Sequence, residues 1–328
     1  MTLTVVDIDT VNAPPDTVGE FGGVVVGVTD SGAASAGSVA QAWLDHASFT
    51  ITSGQATDRR IVHVESIDDT IATLDDRHSQ YPVAATVCDD VLRAQPARVP
   101  TASDTRRGLT IESLAYSTLQ GGREFAGWLH DQGPRVRHEQ DDPVVLHRDG
   151  PELEIRFNRP DRHNAFSNAL RAGLIDGLRV ALADDTVGAV TFTGNGPSFC
   201  SGGDLREFGL LTDPADAHLA RTRYSPAILL AALADRLGPA LHARVHGAVL
   251  GSGLEMASFC GTVTAEPGAV FGLPELRLGL LPGAGGTVSV PRRIGRWRTA
   301  YLVLSGAQID VHTAADWELI DGIESRAD

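Results

Sequence analysis

The chain has 328 residues, 42% of them apolar and 21% charged, enough to enclose a substantial core. Its 27 basic residues are all arginine, which excludes a lysine Schiff base and a lysine-bearing phosphate loop. Against them stand 42 carboxylates, and the net charge of −15, concentrated in the first 134 residues, opposes binding to a nucleic-acid backbone.

The glycine-bounded, β-branched run at 23–29 predicts a buried strand, followed by a helix over 39–46. A second strand is predicted at 60–64, then a helix capped by Ser66 or the aspartates beside it and carrying Ile71 and Leu74. Residues 82–94 form the next helix. A loop rich in Pro, Ser, Thr and Arg is expected at 95–108, ahead of helices over 111–119 and 123–130. The polar run 135–142 reads as a linker. Beyond it the pattern alternates: strands at 144–147 and 153–157, a turn at 158–161, a helix over 167–184 and a strand at 189–193. Alternation of this kind predicts an α/β layered fold.

Cys88, Cys200 and Cys260 have neither disulfide nor metal-ligand spacing and are expected as free thiols, with no metal site. No apolar run reaches the length of a membrane span. Residues 1–9 carry acids where a secretory signal is basic, so the expected location is the cytoplasm, with no membrane partner.

Glycine is densest in three later segments: Ser198 to Leu205 with Gly202-Gly203, His246 to Glu255 with Gly251-Ser252-Gly253, and Phe271 to Thr287 with Gly283-Ala284-Gly285-Gly286. Such runs let main-chain N–H groups approach a ligand closely. Preceded by the stretch from Phe157 to Phe166, which includes Asn164-Ala165, these segments resemble the crotonase superfamily, and within it the enoyl-CoA hydratase/isomerase family, over about 144–323. The segment from Ser305 to Asp321 is similar to the end of that family's core.

The resemblance implies a crotonase-like ββα superhelix as the core, an acyl-CoA thioester as substrate, and no separate cofactor, coenzyme A entering as part of the substrate. It implies an oxyanion hole of two main-chain N–H groups, matched here to Ser201 and Ser252. Preorganised donors of this kind stabilise the charge that a thioester oxygen gains as it becomes enolate-like, by roughly 3–4 kcal/mol each. Glu255 and Glu275, 20 residues apart, match the paired glutamates of the hydratases. One carboxylate activates water while the other delivers a proton to Cα. By the same resemblance Arg162, Asn164, Ala165, Gly202, Gly203 and Asp204 are expected at the coenzyme, and Phe208, Leu210, Leu211, Tyr224 and Trp297 are candidates for the acyl pocket. The expected activity is syn hydration of a 2-enoyl-CoA, with an enoyl-CoA isomerase or a non-catalytic acyl-CoA-binding scaffold as alternatives. A homo-oligomer, a trimer or dimer of trimers, is implied.

Two departures accompany the resemblance. Gly261 stands where the family commonly has aspartate, and the chain ends soon after 323, where the family's covering helices would follow. Segments 81–85, 109–116 and 124–129 are instead similar to those helices. The expected organisation is therefore an N-terminal α/β segment (1–59), a helical module resembling the family's C-terminal helices (60–134), the linker (135–142) and the catalytic core (143–328).

Overall fold

The computed structural model describes residues 3–15, 23–32, 37–95, 101–132 and 142–324. The expected linker falls almost wholly outside them. The first sheet contains β1 (Thr4–Asp7), β2 (Val25–Val28), β3 (Phe49–Thr52) and β4 (Ile61–His63), all parallel and in that order, with α1 (Ser38–His46) between β2 and β3. Its strands alternate: Val24, Val26, Phe49, Ile51 and Val62 join the main core, whereas Val25 and Ile61 face α1 and pack with Ile8, Trp43 and Leu44. Since β4 pairs with β3, the division expected at 59/60 cuts through this sheet.

Four helices follow: α2 (Ile67–Gln80), α3 (Pro82–Arg93), α4 (Ala102–Gln120) and α5 (Arg123–Asp131). The start of α4 corrects the expected loop at 95–108. Thr101 Oγ1 accepts from the Asp104 N–H while Asp104 Oδ2 accepts from the Thr101 N–H, a reciprocal cap that starts the helix nine residues before the predicted position 111.

The remainder contains β5 (Val144–Asp149), β6 (Glu152–Phe157), α6 (Asn168–Ala183), β7 (Ala189–Gly194), α7 (Pro214–Arg223), α8 (Pro226–Leu237) and β8 (Leu241–Val245). After these come β9 (Ala248–Leu250), α9 (Ser252–Ala257), β10 (Thr262–Ala265), β11 (Val270–Gly272), α10 (Gly286–Ser305), β12 (Gln308–Asp310), α11 (Val311–Asp316) and β13 (Gly322–Ile323). A six-stranded sheet runs β13-β10-β8-β7-β6-β5, parallel except for β5, and a three-stranded sheet runs β12-β11-β9. Successive strand pairs serve both sheets, β8 then β9 and β10 then β11, so the chain winds as a stack of turns. Gly247 makes one corner: its φ is +55°, and a Cβ there would stand 2.0 Å from the Pro197 carbonyl oxygen.

The N-terminal elements lie against this core rather than apart from it. Arg77 donates to the Leu304 carbonyl at 3.0 Å, Arg292 donates to Thr105 Oγ1 at 2.6 Å, and the rings of Phe49 and Tyr301 meet edge to face at 5.5 Å. One hydrophobic cluster runs from Val24 through Leu109 and Tyr116 to Val288 and Ile320. No helix of the described residues is long and apolar enough to cross a membrane.

Candidate active site

Two walls of the site are fixed by side chains that are fully occupied. Asn164, completely buried and at φ +53°, accepts from the Arg159 N–H and donates to the carbonyls of Asn195 and Ser198. Asp204 forms a buried ion pair with Arg159 at 3.0 Å and a second contact with Arg206 at 3.3 Å. Arg159 also donates to the Ala165 carbonyl. Asn164, Ala165 and Asp204, expected at the coenzyme, thus pin the 158–166 turn to the glycine loop, and with both side chains occupied a coenzyme would meet the main chain of Asn164 and Asp204. Arg162 sits on the short turn Pro160–Arg162, half-buried.

The expected role of the Ser201 amide is corrected. It donates to the His163 carbonyl at 3.0 Å, so it is not available to a thioester oxygen. Two residues on, Gly203 forms an isolated parallel bridge with Phe166, in which the Phe166 N–H bonds to Gly202 O and the Asp204 N–H bonds to Phe166 O. Gly203's own N–H therefore points to the other side, has no partner among the described residues, and lies on the wall of a cavity. A Cβ at Gly203 would collide with the Phe208 ring at 2.7 Å. Opposite, Ser252 is the first residue of α9, where main-chain N–H groups have no intrahelical acceptor, and its amide likewise has no partner among the described residues. Its hydroxyl approaches the Cys200 sulfur but reaches no hydrogen-bond partner. Gly251 before it, at φ +50°, leaves room for Glu275: a Cβ there would stand 2.4 Å from Glu275 Oε1.

The cavity, about 220 Å³, is lined by Gly203, Ser252, Glu255 and Glu275 together. Glu255, 2% exposed in the first turn of α9, accepts on Oε2 from the amides of Ala284 and Gly286, both at 2.7 Å. Glu275 begins a one-turn 3-10 helix after β11, and its Oε2 is buried without a partner. Burial, then the charges of Glu275 and Glu112, raise the Glu255 carboxyl well above the ordinary carboxylate range. Burial raises Glu275 to about 7. Two carboxyls this close repel as anions, so at neutral pH the pair retains a proton. The two donated amides favour the ionised form of Glu255 and offset part of that rise, whereas Oε2 of Glu275 has no donor.

Sequence reasoning missed a third glutamate. Glu112 on α4, also 2% exposed, accepts on Oε1 from the Gly285 amide at 2.8 Å and on Oε2 from the Thr287 amide at 3.0 Å and hydroxyl at 2.7 Å. Glu255 and Glu112 therefore divide alternate amides of 284–287 between them. Burial raises Glu112 to about 7 against those donors. The available signal was its place in the stripe Leu109, Glu112, Ser113, Tyr116 and Leu119, an acid on the face of α4 that the helix buries. Tyr116 from the same stripe reaches the cavity, and Gly283 makes room for its ring.

Of the acyl-pocket candidates, Phe208, Leu210, Leu211 and Tyr224 line the cavity. Trp297 does not. It lies on α10 beneath the Arg296 guanidinium, 4.5 Å from its ring centre. The three cysteines are free and buried, and burial raises Cys200 to about 11 and Cys260 to about 12, which keeps both as neutral thiols.

A family model described as enoyl-CoA hydratase/isomerase matches residues 152–328. The chain is 35% identical over 180 residues to the 2,3-dehydroadipyl-CoA hydratase of Escherichia coli, covering 55% of this chain and 68% of that protein. It is 34% identical over 180 residues to that organism's 1,2-epoxyphenylacetyl-CoA isomerase, covering 54% and 68%. Among solved structures, a Thermobifida fusca chain described as an enoyl-CoA hydratase in complex with acetoacetyl-CoA superposes with a TM-score of 0.50 at 26% identity, over 56% of this chain and 74% of that one. For other relatives the covered share of the relative is as low as 53%.

Proposed function

The chain belongs to the enoyl-CoA hydratase/isomerase family, and from that premise we propose that it adds water across the double bond of a 2-enoyl-CoA to give the 3-hydroxyacyl-CoA. The observation that carries this reading is that two glutamates with opposed hydrogen-bonding environments share one cavity with two unpartnered main-chain N–H groups. The thioester oxygen accepts from Gly203 and Ser252, which stabilise the enolate-like charge as it forms. Glu255, whose ionised form the amides of Ala284 and Gly286 favour, takes a proton from the water attacking Cβ. Glu275 gives its proton to Cα from the same side. Double-bond migration needs one group to carry a proton between two carbons, whereas two separately tuned carboxyls suit a reaction that consumes a water.

The N-terminal helices belong to this catalyst in the proposed organisation. The α4 helix supplies Glu112 to the 284–287 turn, and α5 packs against the turn bearing Glu275, where a Cβ on Gly279 would stand 2.7 Å from the Glu124 carbonyl carbon. They thereby do the work of the covering helices expected after the core.

Hydration of crotonyl-CoA, followed as loss of conjugated thioester absorbance, tests the proposal. Turnover that falls about 10²–10⁴-fold in Glu275→Gln is expected. Migration of the double bond in a 3-enoyl-CoA without hydration would assign the chain to isomerisation, and thioester binding without either reaction would make it a scaffold.

A further inference from the structure

The cavity that holds Glu255 and Glu275 also carries two arginines the hydration chemistry does not use. Arg171, on α6, and Arg221, in the last turn of α7, both line it; burial disfavours the charge of each, and the charge of Arg171 adds to that effect at Arg221. Neither makes an ion pair within 4 Å among the described residues. Arg171 donates only to Asn168 Oδ1, at 2.7 Å. Arg221 lies over the Tyr116 ring at 4.2 Å and donates to Ser113, Ser117 and Gln120, all neutral.

Most acids nearby hold other groups, although Glu275 has a free oxygen and the charge of Glu207 acts on Arg171. Glu207 accepts from the Asn168 amide at 2.6 Å, Asp204 is paired with Arg159, Glu112 holds the amides of 285 and 287, and Glu255 holds those of 284 and 286. Two part-buried cations thus line one small cavity with no ion pair within 4 Å among the described residues, the nearest opposing charges being Glu207 for Arg171 and Glu112 for Arg221. A part-desolvated guanidinium bonded only to neutral groups still gains from an anion, and its forked donors match a carboxylate. The phosphates of coenzyme A are an unsuitable partner, because the pantetheine arm holds them well away from the thioester, whereas these arginines share a cavity of about 220 Å³ with the two glutamates.

We propose that Arg171 and Arg221 bind an anionic group at the far end of the acyl chain, so that the preferred substrate is a 2-enoyl-CoA whose tail ends in a carboxylate. This rests on the acyl-CoA reading above.

The test uses the intact chain with 2-hexenoyl-CoA and the six-carbon 2-enoyl-CoA that ends in a carboxylate. Hydration is measured for both, and binding of the two saturated analogues by titration calorimetry, so tail preference is read even if no hydration occurs. The carboxylate tail is expected to be favoured about tenfold or more, as a charge-assisted pair contributes. The preference should fall towards unity in Arg171→Gln, and likewise in Arg221→Gln; Arg171 is the cleaner site because it does not tie α7 to α4. Equal treatment of the two tails, or preference for the methyl end, overturns the proposal while leaving hydration standing. Equal losses for both tails in the variants, with the effect removed in thioesters of 3′-dephospho-coenzyme A, would assign the arginines to the coenzyme phosphate and also overturn it. Absence of hydration with the binding preference intact would overturn the hydratase reading and not this one.

Discussion

Glu255 and Glu112 are two carboxylates 2% exposed, each accepting alternate main-chain amides of 284–287, one from the core and one from the N-terminal helices. They differ in what lies on their far side. Glu255 faces the cavity beside Glu275, while both oxygens of Glu112 are taken up by the turn and the Thr287 hydroxyl. On the proposed mechanism the same ligation serves two ends: Glu255 reacts, and Glu112 fixes the turn that orients it.

The largest expected effect separates them by activity. Glu255→Gln keeps the shape of the side chain but removes the base, and hydration should fall about 10²–10⁴-fold with little change in melting temperature. Glu112→Gln should cost far less activity, because the chemistry still has its acid and base. Equal losses in the two variants would show that Glu112 takes part in the proton transfer and dissolve the distinction.

Stability should separate them in the opposite sense. Glu112→Ala strands the amides of Gly285 and Thr287 and the Thr287 hydroxyl in a buried site, with a cost of about 3 kcal/mol, read as a lower urea midpoint. A midpoint unchanged from the parent would mean that the turn holds its shape without α4, and that the N-terminal helices merely cover the core.

The pH dependence sharpens the same contrast. Glu112 is raised from 4.5 to about 7, so its protonated form is favoured by folding. The associated stability is fully present below about 4.5 and is lost as the pH rises through about 7, on the order of 3 kcal/mol over that window. Denaturation midpoints should fall between about pH 5 and pH 8, and more steeply in the parent than in Glu112→Gln. Identical slopes would place the titration elsewhere. Activity should decline over the upper part of the same window for a different reason: Glu275, also raised to about 7, loses the proton that the proposed mechanism delivers to Cα.

What the sequence made legible follows from how local each signal is. The strands and helices of the core are carried by patterns within short segments, while Glu255, Glu275 and Ser252 came from the resemblance of such segments to a family, and the structure brings the three to one cavity. The second N–H is a matter of which way a peptide faces. Ser201 and Gly203 are two residues apart in one loop, and only the bridge to Phe166 and the bond from Ser201 to His163 show that the first is consumed and the second exposed. The start of α4 was hidden because its cap is made of Thr101 and Asp104, residues that elsewhere mark loops. Glu112 was hidden because its partners are 173 and 175 residues away, main-chain groups that no residue type announces.

Trp297 provides the finest test of the cavity's outline. Sequence grouped it with Phe208 and Tyr224, whereas the structure puts those two on the cavity wall and Trp297 on α10 under Arg296, its buried Nε1 without a partner. Trp297→Phe removes an unpaired buried donor along with some apolar area, two contributions of opposite sign, so stability should change by less than about 1 kcal/mol. The ratio of hydration rates for short and long 2-enoyl-CoA thioesters should not change at all, while Tyr224→Ala, which opens the wall, should shift it toward longer chains. A shift of that ratio in Trp297→Phe would mean that the acyl chain reaches past Tyr116 to α10, and the wall drawn here from α4, α6 and α7 would have to be moved.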